Sequence, residues 1–224
     1  MTTTQIASPS AAHPCAALFG VLTREAVRRD SGVGAEQAML ADPAWTELWP
    51  GVLVPTRDRD DPRTRAAAGL LRCGPQSVLC GFTALAMHGC RSIDSARVHV
   101  LVPYDRQHRS RTGLVVHQGW VREAEVQELD GLRVQALDVA LTDVLCAGES
   151  RAALACLEDA FTLLPPEGVS RLRAAVRHRI AQRRDRRGTR QASGLLALAW
   201  VPGSTAADIL ARRPPVPSEL SGAA

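Results

Sequence analysis

The most regular pattern of hydrophobic and polar positions along the chain lies between residues 77 and 118. Phe82, Leu85 and Ala86 are three and four positions apart, which is the spacing of one face of a helix. Gly89 follows them, and glycine is the commonest residue just past the end of a helix. We therefore predict a helix that ends at Gly89.

Two short strands are predicted after this helix. In residues 98–102 valine occupies every second position, and residues 113–117 (GLVVH) contain two further valines. Both segments are typical of strands. The polar segment 103–112 between them predicts an antiparallel hairpin with a long loop, and loops of this length tend to carry function. Basic side chains crowd this loop, at Arg106, His108, Arg109 and Arg111. They would suit a phosphate contact or a solvated, mobile loop equally well.

The N-terminal part of the chain predicts three short helices and a hairpin. An apolar helix is expected at 14–21, and Thr23 is a good N-cap for the next one. A turn at 31–34 leads to a further helix at 35–41, and two helices joined by a short glycine-containing turn are the outline of a helix-turn-helix. Residues 45–54 then alternate into a Pro-Gly turn and a Val-Leu-Val strand, which predicts a β-wing.

Most of the remaining chain has a helical pattern. Asp61 as N-cap and Pro62 at the first helical position open a helix that Gly74 and Pro75 end. Further helices are predicted at 136–147, 151–164 and 192–200, and a short strand at 131–134.

The segment from residue 168 onward combines an apolar stripe with many arginines. Val169, Leu172, Val176 and Ile180 form the stripe, and nine arginines lie between residues 171 and 190 with Asp185 as the acidic residue among them. We predict one amphipathic helix whose basic outer face binds nucleic acid or another anionic surface. A merely solvated face is the alternative, and it is less favoured because nine like charges with few partners would repel one another.

Composition adds a positive charge and little else. The net charge is +4, and every basic side chain is arginine, whose planar fork suits phosphate; this usage also fits the codons of a GC-rich genome.

No run of eighteen apolar residues and no signal peptide are found, so we expect a cytoplasmic protein without a membrane partner. Residues 1–13 and 201–224 are expected to be a disordered leader and tail.

The cysteines do not indicate a metal or a disulfide framework. None of them forms a C-x-x-C pair, and the spacing of Cys80, His88 and Cys90 matches no zinc pattern. Cys80, Cys146 and Cys156 lie among apolar residues, so we predict that they are small buried hydrophobic side chains.

Several of these segments together resemble the AbiEi family of antitoxins, from bacterial abortive-infection toxin–antitoxin systems. Residues 48–54 (LWPGVLV) are similar to that family's wing, and residues 81–89 (GFTALAMHG) look like its G-x-S-A-x-x-L-H-G helix. The strands at 98–103 and 113–117, and the segment 131–143, match its later strands and its R-T-L-x-D helix. The resemblance covers about residues 20 to 200.

The resemblance implies a DNA-binding transcriptional autoregulator that is the antitoxin-like partner of a nucleotidyltransferase-type toxin. Two departures qualify it. The family's arginine before its T-L-x-D segment is absent, since residues 137–143 read LDVALTD. Some relatives continue into a nuclease domain similar to very-short-patch repair endonucleases, whereas this sequence ends at Ala224 without a carboxylate cluster for Mg²⁺. We therefore expect a regulator without that nuclease, and with no catalytic residue, cofactor or metal.

The predicted fold class is α/β (mixed α+β), in two domains. Residues 14–58 are expected to form a winged helix-turn-helix, and residues 59–200 a mixed α/β domain with a basic C-terminal helix. Duplex DNA of the protein's own promoter is the predicted partner: arginines would hold phosphates, and Gln37 would read an adenine edge. The predicted DNA-contact residues are Thr23, Arg24, Arg28, Arg29, Gln37, Arg57, Arg59, Arg179, Arg183, Arg186 and Arg187.

Two other classes of protein stay open from the sequence. One is a diverged or truncated nuclease-associated protein with residual phosphodiesterase activity, and the other is a protein-interaction module that does not bind DNA. The second helix of the helix-turn-helix carries Glu36 and Gln37 but no arginine, which keeps the interaction module open. No G-x-S-x-G, P-loop or H-E-x-x-H motif occurs, so we expect no enzymatic activity.

Overall fold

The computed structural model describes residues 18–93, 96–105 and 108–199, and within them the chain is a mixed α/β protein, as predicted. It divides into two compact units, Met1–Ala140 and Leu141–Ala224. The predicted leader 1–13, the tail 201–224 and most of the predicted helix 14–21 lie outside the described residues. The domain boundary predicted at 58/59 stays a prediction.

The helices and strands follow one another along both units. The helices are α1 (Arg24–Ala41), α2 (Pro62–Cys73), α3 (Gly81–Met87), α4 (Leu137–Ala147), α5 (Ser150–Thr162), α6 (Pro166–Gln182) and α7 (Thr189–Leu198). The strands are β1 (Leu22–Thr23), β2 (Trp45–Trp49), β3 (Val52–Pro55), β4 (Val78–Leu79), β5 (Val98–Val102), β6 (Leu114–Gln118), β7 (Val126–Leu129) and β8 (Leu132–Gln135). Within the described ranges no helix is both long enough and apolar enough to cross a membrane.

A small antiparallel sheet in the first unit has the order β1-β3-β2. Its hairpin β2–β3 turns at Pro50 and Gly51, which confirms the hairpin predicted at 45–54, and Gly51 has the positive φ of 88° that the turn requires. The register shifts between Glu47 and Trp49, so the alternation of inward and outward side chains breaks there. As a result Trp49 is the buried tryptophan of the hairpin, whereas Trp45 is half-buried.

A five-stranded mixed sheet in the same unit has the order β6-β5-β4-β8-β7. The antiparallel hairpin predicted between 98–102 and 113–117 is wrong, because β5 and β6 pair in parallel with Val98 opposite Leu114. The segment between the strands is long enough to return to the first end of β5, where the amide of Val98 bonds the carbonyl of Gly113 at 2.9 Å. A two-residue turn would have forced an antiparallel pair, but a segment of this length does not.

Two strands of this sheet were not predicted. β4 is only two residues long, and it pairs with β5 on one side and with β8 on the other. β7 lies in the acidic segment after Trp120 and pairs antiparallel with β8 through a turn at Asp130 and Gly131. Its two exposed residues, Gln127 and Glu128, are neighbours in the chain, so it lacks the hydrophobic alternation of a half-buried strand.

Helix α2 forms the centre of the first unit, because it packs against β3, β5 and β8 of the two sheets. Asp61 caps it by accepting a hydrogen bond from the amide of Thr64 at 2.7 Å, with Pro62 in the first turn, as predicted. Its close approach to the large sheet requires glycine at Gly69, where a Cβ would meet a methyl of Val98 at 2.8 Å. Ala66, Ala67 and Ala68 beside it are fully buried.

The second unit consists of the end of α4 with α5, α6 and α7, and α7 packs on both α5 and α6. The apolar stripe predicted from residue 168 onward is confirmed in α6 for Leu172, Val176 and Ile180, which are buried, whereas Val169 is half-buried. The single basic helix predicted there is wrong in extent. α6 ends at Gln182, and residues 183–188 connect it to α7.

Candidate nucleic-acid interface

Helix α1 consists of two helical segments, because Gly32 in its middle has φ 86° and ψ 171°. These angles are not helical, and a residue with a Cβ adopts them at a cost. Thr23 caps the first segment as predicted: its hydroxyl oxygen accepts a hydrogen bond from the amide of Ala26 at 3.0 Å. The chain therefore forms a helix over 24–31, a break, a helix over 33–41 and then the hairpin β2–β3. That this arrangement is a winged helix-turn-helix stays a prediction.

A buried carboxylate holds the two helical segments together. Glu36, on the second segment, is 2% exposed and accepts a hydrogen bond from Nε of Arg24 at 2.7 Å and from Nε of Arg28 at 2.6 Å. These hydrogen bonds lower the pKa of the Glu36 carboxyl to about 2, Arg28 having the larger effect, and they raise the pKa of both guanidinium groups. Arg24 and Arg28, which are predicted to contact phosphate, thus also form structural ion pairs.

The hairpin turn is tied to the start of α1. The amide of Arg24 donates to the carbonyl of Gly51 at 2.9 Å, and the amide of Gly51 donates to a carboxylate oxygen of Glu47 at 2.7 Å. The guanidinium of Arg24 also lies 3.4 Å from Glu47. Arg24 therefore links the first helical segment, the second segment and the hairpin, so all three are held in one arrangement.

The outer face of the second helical segment is uncharged. Gln37 lies on it and is exposed. Val33 and Leu40, four and three positions away, are 54% and 41% exposed. Gln37 is thus accessible at this surface, and that it reads a base stays a prediction.

The predicted phosphate contacts of this region are all engaged in ion pairs. Arg29 pairs with Glu25 at 3.1 Å, Arg57 with Asp58 at 3.2 Å and Arg59 with Asp60 at 3.4 Å, in addition to Arg24 and Arg28 on Glu36. Residues 22–60 contain five arginines and seven acidic residues. Arg57 remains 86% exposed, and surface pairs of this kind are weak enough to exchange for a phosphate. The region itself, however, supplies no net positive charge.

Replacing Glu36 by Gln should lower the melting temperature by on the order of 5 °C, because it leaves two guanidinium groups without their shared carboxylate. Glu25→Gln is the matched control. It removes a carboxylate of the same helix, paired with Arg29 but 85% exposed, and we expect almost no change. Differential scanning calorimetry of the two variants measures the difference; equal melting temperatures would show that the buried carboxylate does not stabilise the fold.

The melting temperatures of the wild type and of Glu36→Gln should differ by an amount that depends on pH. The pKa of Glu36 falls from its ordinary 4.5 to about 2 on folding, so its stabilising contribution is present above pH 4.5 and is lost as the pH falls toward 2. The difference in melting temperature between the wild type and Glu36→Gln should therefore shrink over this range. A difference that stays constant from pH 6 to pH 2.5 would contradict the lowered pKa.

In the second unit, four of the predicted DNA contacts lie at or after the end of α6. Arg179 is on α6, whereas Arg183, Arg186 and Arg187 lie in the connection to α7 rather than on a helix. Arg183 is not an unpaired surface charge, since it lies 2.7 Å from Asp143 and is largely buried. The expectation that these charges have few partners is wrong for this residue.

The positive charge of the second unit is concentrated after residue 168. Residues 168–198 contain nine arginines and one aspartate, and Arg184, Arg186 and Arg187 are exposed. Arg173 is half-buried beside Arg177, and burial together with that like charge lowers its pKa. A concentration of positive charge of this kind attracts polyanions.

The loop between β5 and β6 covers the outer edge of β6. Arg111 exchanges two backbone hydrogen bonds with Leu114, and the hydroxyl of Ser110 accepts one from the amide of Val116. Arg109 and Arg111 are exposed, and Arg106 lies outside the described residues. Whether this loop contacts phosphate stays open.

Sequence reasoning missed two ring pairs near this loop. Tyr104 and Trp120, which follow β5 and β6, form an edge-to-face pair with ring centroids 5.6 Å apart, and Trp120 is 78% exposed. His99 and His117 stack with their ring nitrogens 3.1 Å apart, and burial followed by the charge of His117 lowers the pKa of His99 to about 4. Parallel pairing of β5 with β6 creates both pairs, so only a correct strand direction could have found them.

The described cysteines are buried side chains. The prediction for Cys80, Cys146 and Cys156 is confirmed, and Cys73 and Cys90 are buried as well. Burial raises the pKa of the Cys73 thiol to about 11. Of the residues that the structure describes, no three His, Cys, Asp or Glu side chains form a group that could hold a metal ion.

No protein-family model matches this chain, and no curated protein matches it either. Among solved structures, the crystal structure of RV2827C protein from Mycobacterium tuberculosis is similar, with 15% sequence identity and a TM-score of 0.48. The similarity covers 79% of this chain and 75% of that one. It is a distant similarity.

Proposed function

We propose that this protein binds duplex DNA and regulates transcription of its own operon, as an antitoxin-like component of a toxin–antitoxin system. The observation that carries the proposal is the order of elements over residues 22–55. Two helical segments broken at Gly32 are followed directly by a hairpin, and the second segment presents Gln37 at its surface. A helix of this kind can enter a major groove while the hairpin contacts the backbone beside it.

Non-specific affinity for DNA would come mainly from residues 168–198. The helix–hairpin region has no excess of positive charge, whereas residues 168–198 have a large one. Phosphate contacts supply most of the sequence-independent free energy of binding DNA, and base contacts supply the specificity. We therefore propose base reading by α1, with Arg57 and Arg59 as weak phosphate contacts. Separately, we propose non-specific phosphate binding by the arginines between α6 and α7.

A promoter–reporter fusion in a heterologous bacterium tests autoregulation. Supplying the protein should reduce expression from the DNA upstream of its own gene several-fold, and leave an unrelated promoter unchanged. An unchanged reporter, with the protein present at normal levels, would overturn the regulatory part of the proposal.

The toxin partner is proposed from the resemblance to the AbiEi family alone. If a neighbouring gene encodes a nucleotidyltransferase, its expression should arrest growth and co-expression of this chain should restore it. Growth arrest that this chain does not relieve would count against the antitoxin role without affecting DNA binding.

A protein-interaction module is the second candidate function, and one observation favours it. The arginines at 24, 28, 29, 57 and 59 are all ion-paired, and the exposed face of the second helical segment is uncharged, as a protein-binding face often is. This candidate predicts that the protein binds no duplex DNA even at low salt.

We also propose that the protein is not an enzyme. The rival reading, a nuclease-associated protein with residual phosphodiesterase activity, predicts cleavage of plasmid or RNA in the presence of Mg²⁺ or Mn²⁺. We expect the purified chain to leave both intact. Cleavage that is reproducible and is lost on addition of EDTA would establish the rival instead.

A further inference from the structure

We infer that the second segment of α1 selects A·T base pairs, with Gln37 as the residue that reads adenine. The inference rests on the proposed DNA binding and deepens it, because it names the sequence class of the site. It starts from the residues that this segment exposes and from those that it lacks.

The exposed face of residues 33–41 has two rows of side chains. Val33, Gln37 and Leu40 are spaced by four and three positions and form one row. The second row, with the same spacing, is made only of small residues, Gly34, Ala38 and Ala41, and all of these positions are exposed. Small side chains let a helix approach a partner closely, so the floor of a groove comes within reach of Gln37.

The chemistry of this face fits adenine and thymine better than guanine and cytosine. Glutamine can bond both N6 and N7 of adenine, whereas the commonest partner of guanine is arginine or lysine. Residues 33–41 contain neither, and the carboxylate that could accept from cytosine, Glu36, is buried on the arginines of the first segment. The methyl group of thymine, in turn, is contacted by apolar side chains, which Val33 and Leu40 provide on either side.

The uncharged face also indicates which occupant it takes. A protein partner could cover the same apolar side chains, and a protein with such a face alone would have no affinity for duplex DNA. A major groove rich in A·T pairs offers methyl groups and a paired acceptor and donor at the same time.

The experiment is a selection of bound duplexes from a pool with randomised central bases, using the full chain at low salt. We expect the recovered sequences to be enriched in A·T pairs. Replacing one selected A·T pair by G·C should weaken binding by about 5- to 150-fold, measured by fluorescence anisotropy. Enrichment of G·C pairs, or binding without any sequence preference, would overturn the inference and leave DNA binding in place.

Two variants at Gln37 assign the preference to this side chain. Gln37→Ala should abolish discrimination at one base pair and leave the salt dependence unchanged. Gln37→Glu should move the preference at that pair from adenine to cytosine, because a carboxylate accepts from the cytosine amino group. Gln127→Ala, an exposed glutamine on β7, is the matched control and should behave as the wild type.

The outcomes separate the inference from the function on which it rests. If the wild type selects A·T pairs but Gln37→Ala and Gln37→Glu select the same sequences, the role of Gln37 is wrong. If the wild type binds no duplex at low salt, the proposed function fails, and the inference fails with it.

Discussion

Replacing Arg184, Arg186 and Arg187 together by Gln should flatten the dependence of DNA affinity on salt by about 2.7 in the slope of log K against log salt. Each lost phosphate contact contributes about 0.9 to this slope on duplex DNA. All three side chains are exposed and lie in the connection between α6 and α7. Since phosphates carry no sequence information, affinity for the promoter and for a random duplex should fall alike.

The control for this variant has the same change in net charge elsewhere on the surface. Arg63, Arg122 and Arg151 are exposed arginines outside the proposed contact set, and their replacement by Gln should change the slope little. Equal slopes for both triple variants would show that the protein attracts DNA by its overall charge, and that the segment after α6 is not a contact.

Replacing Gly188 by Ala should destabilise the protein by about 3 kcal/mol or more, the largest effect on stability that we expect. Gly188 is the N-cap residue of α7 and has φ 70°, a conformation that costs a residue with a Cβ roughly 1–2 kcal/mol. In addition, a Cβ there would overlap the carbonyl oxygen of Cys146 at the end of α4. Neither the backbone of α4 nor that of α7 can move without breaking its own contacts.

Gly194→Ala is the matched control, because it makes the same chemical change one helix turn and a half further along α7. No atom lies within 4 Å of the Cβ that it would add. Alanine in a helix interior is favoured over glycine by about 0.5–1 kcal/mol, so the control should be slightly stabilised. Thermal unfolding of both variants measures the contrast; two variants of equal stability would contradict the close approach at Gly188.

Local signals in the sequence predicted local structure correctly. Thr23 and Asp61 cap helices, and Pro50 with Gly51 forms the hairpin turn, because each of these features depends on residues that are adjacent in the chain. The direction of β6 depends instead on the path of the loop between residues 103 and 113. Hydrophobic alternation does not encode that path, so the parallel pair was missed.

The ion pairs were the part of the candidate site that the sequence could not predict. A glutamate in the middle of a polar helix normally faces water. Glu36 is buried only because the break at Gly32 brings its segment back onto Arg24 and Arg28. The pairing of Arg183 with Asp143 could not be predicted either, because forty positions separate the two residues.

Fluorescence anisotropy with the wild-type chain tests the central claim most directly. One labelled duplex carries the DNA upstream of the protein's own gene, and the other carries the same bases in shuffled order. We predict tighter binding to the upstream duplex, with log K falling linearly as log salt rises for both. Equal affinity for the two duplexes, or no binding to either at low salt, would contradict the account.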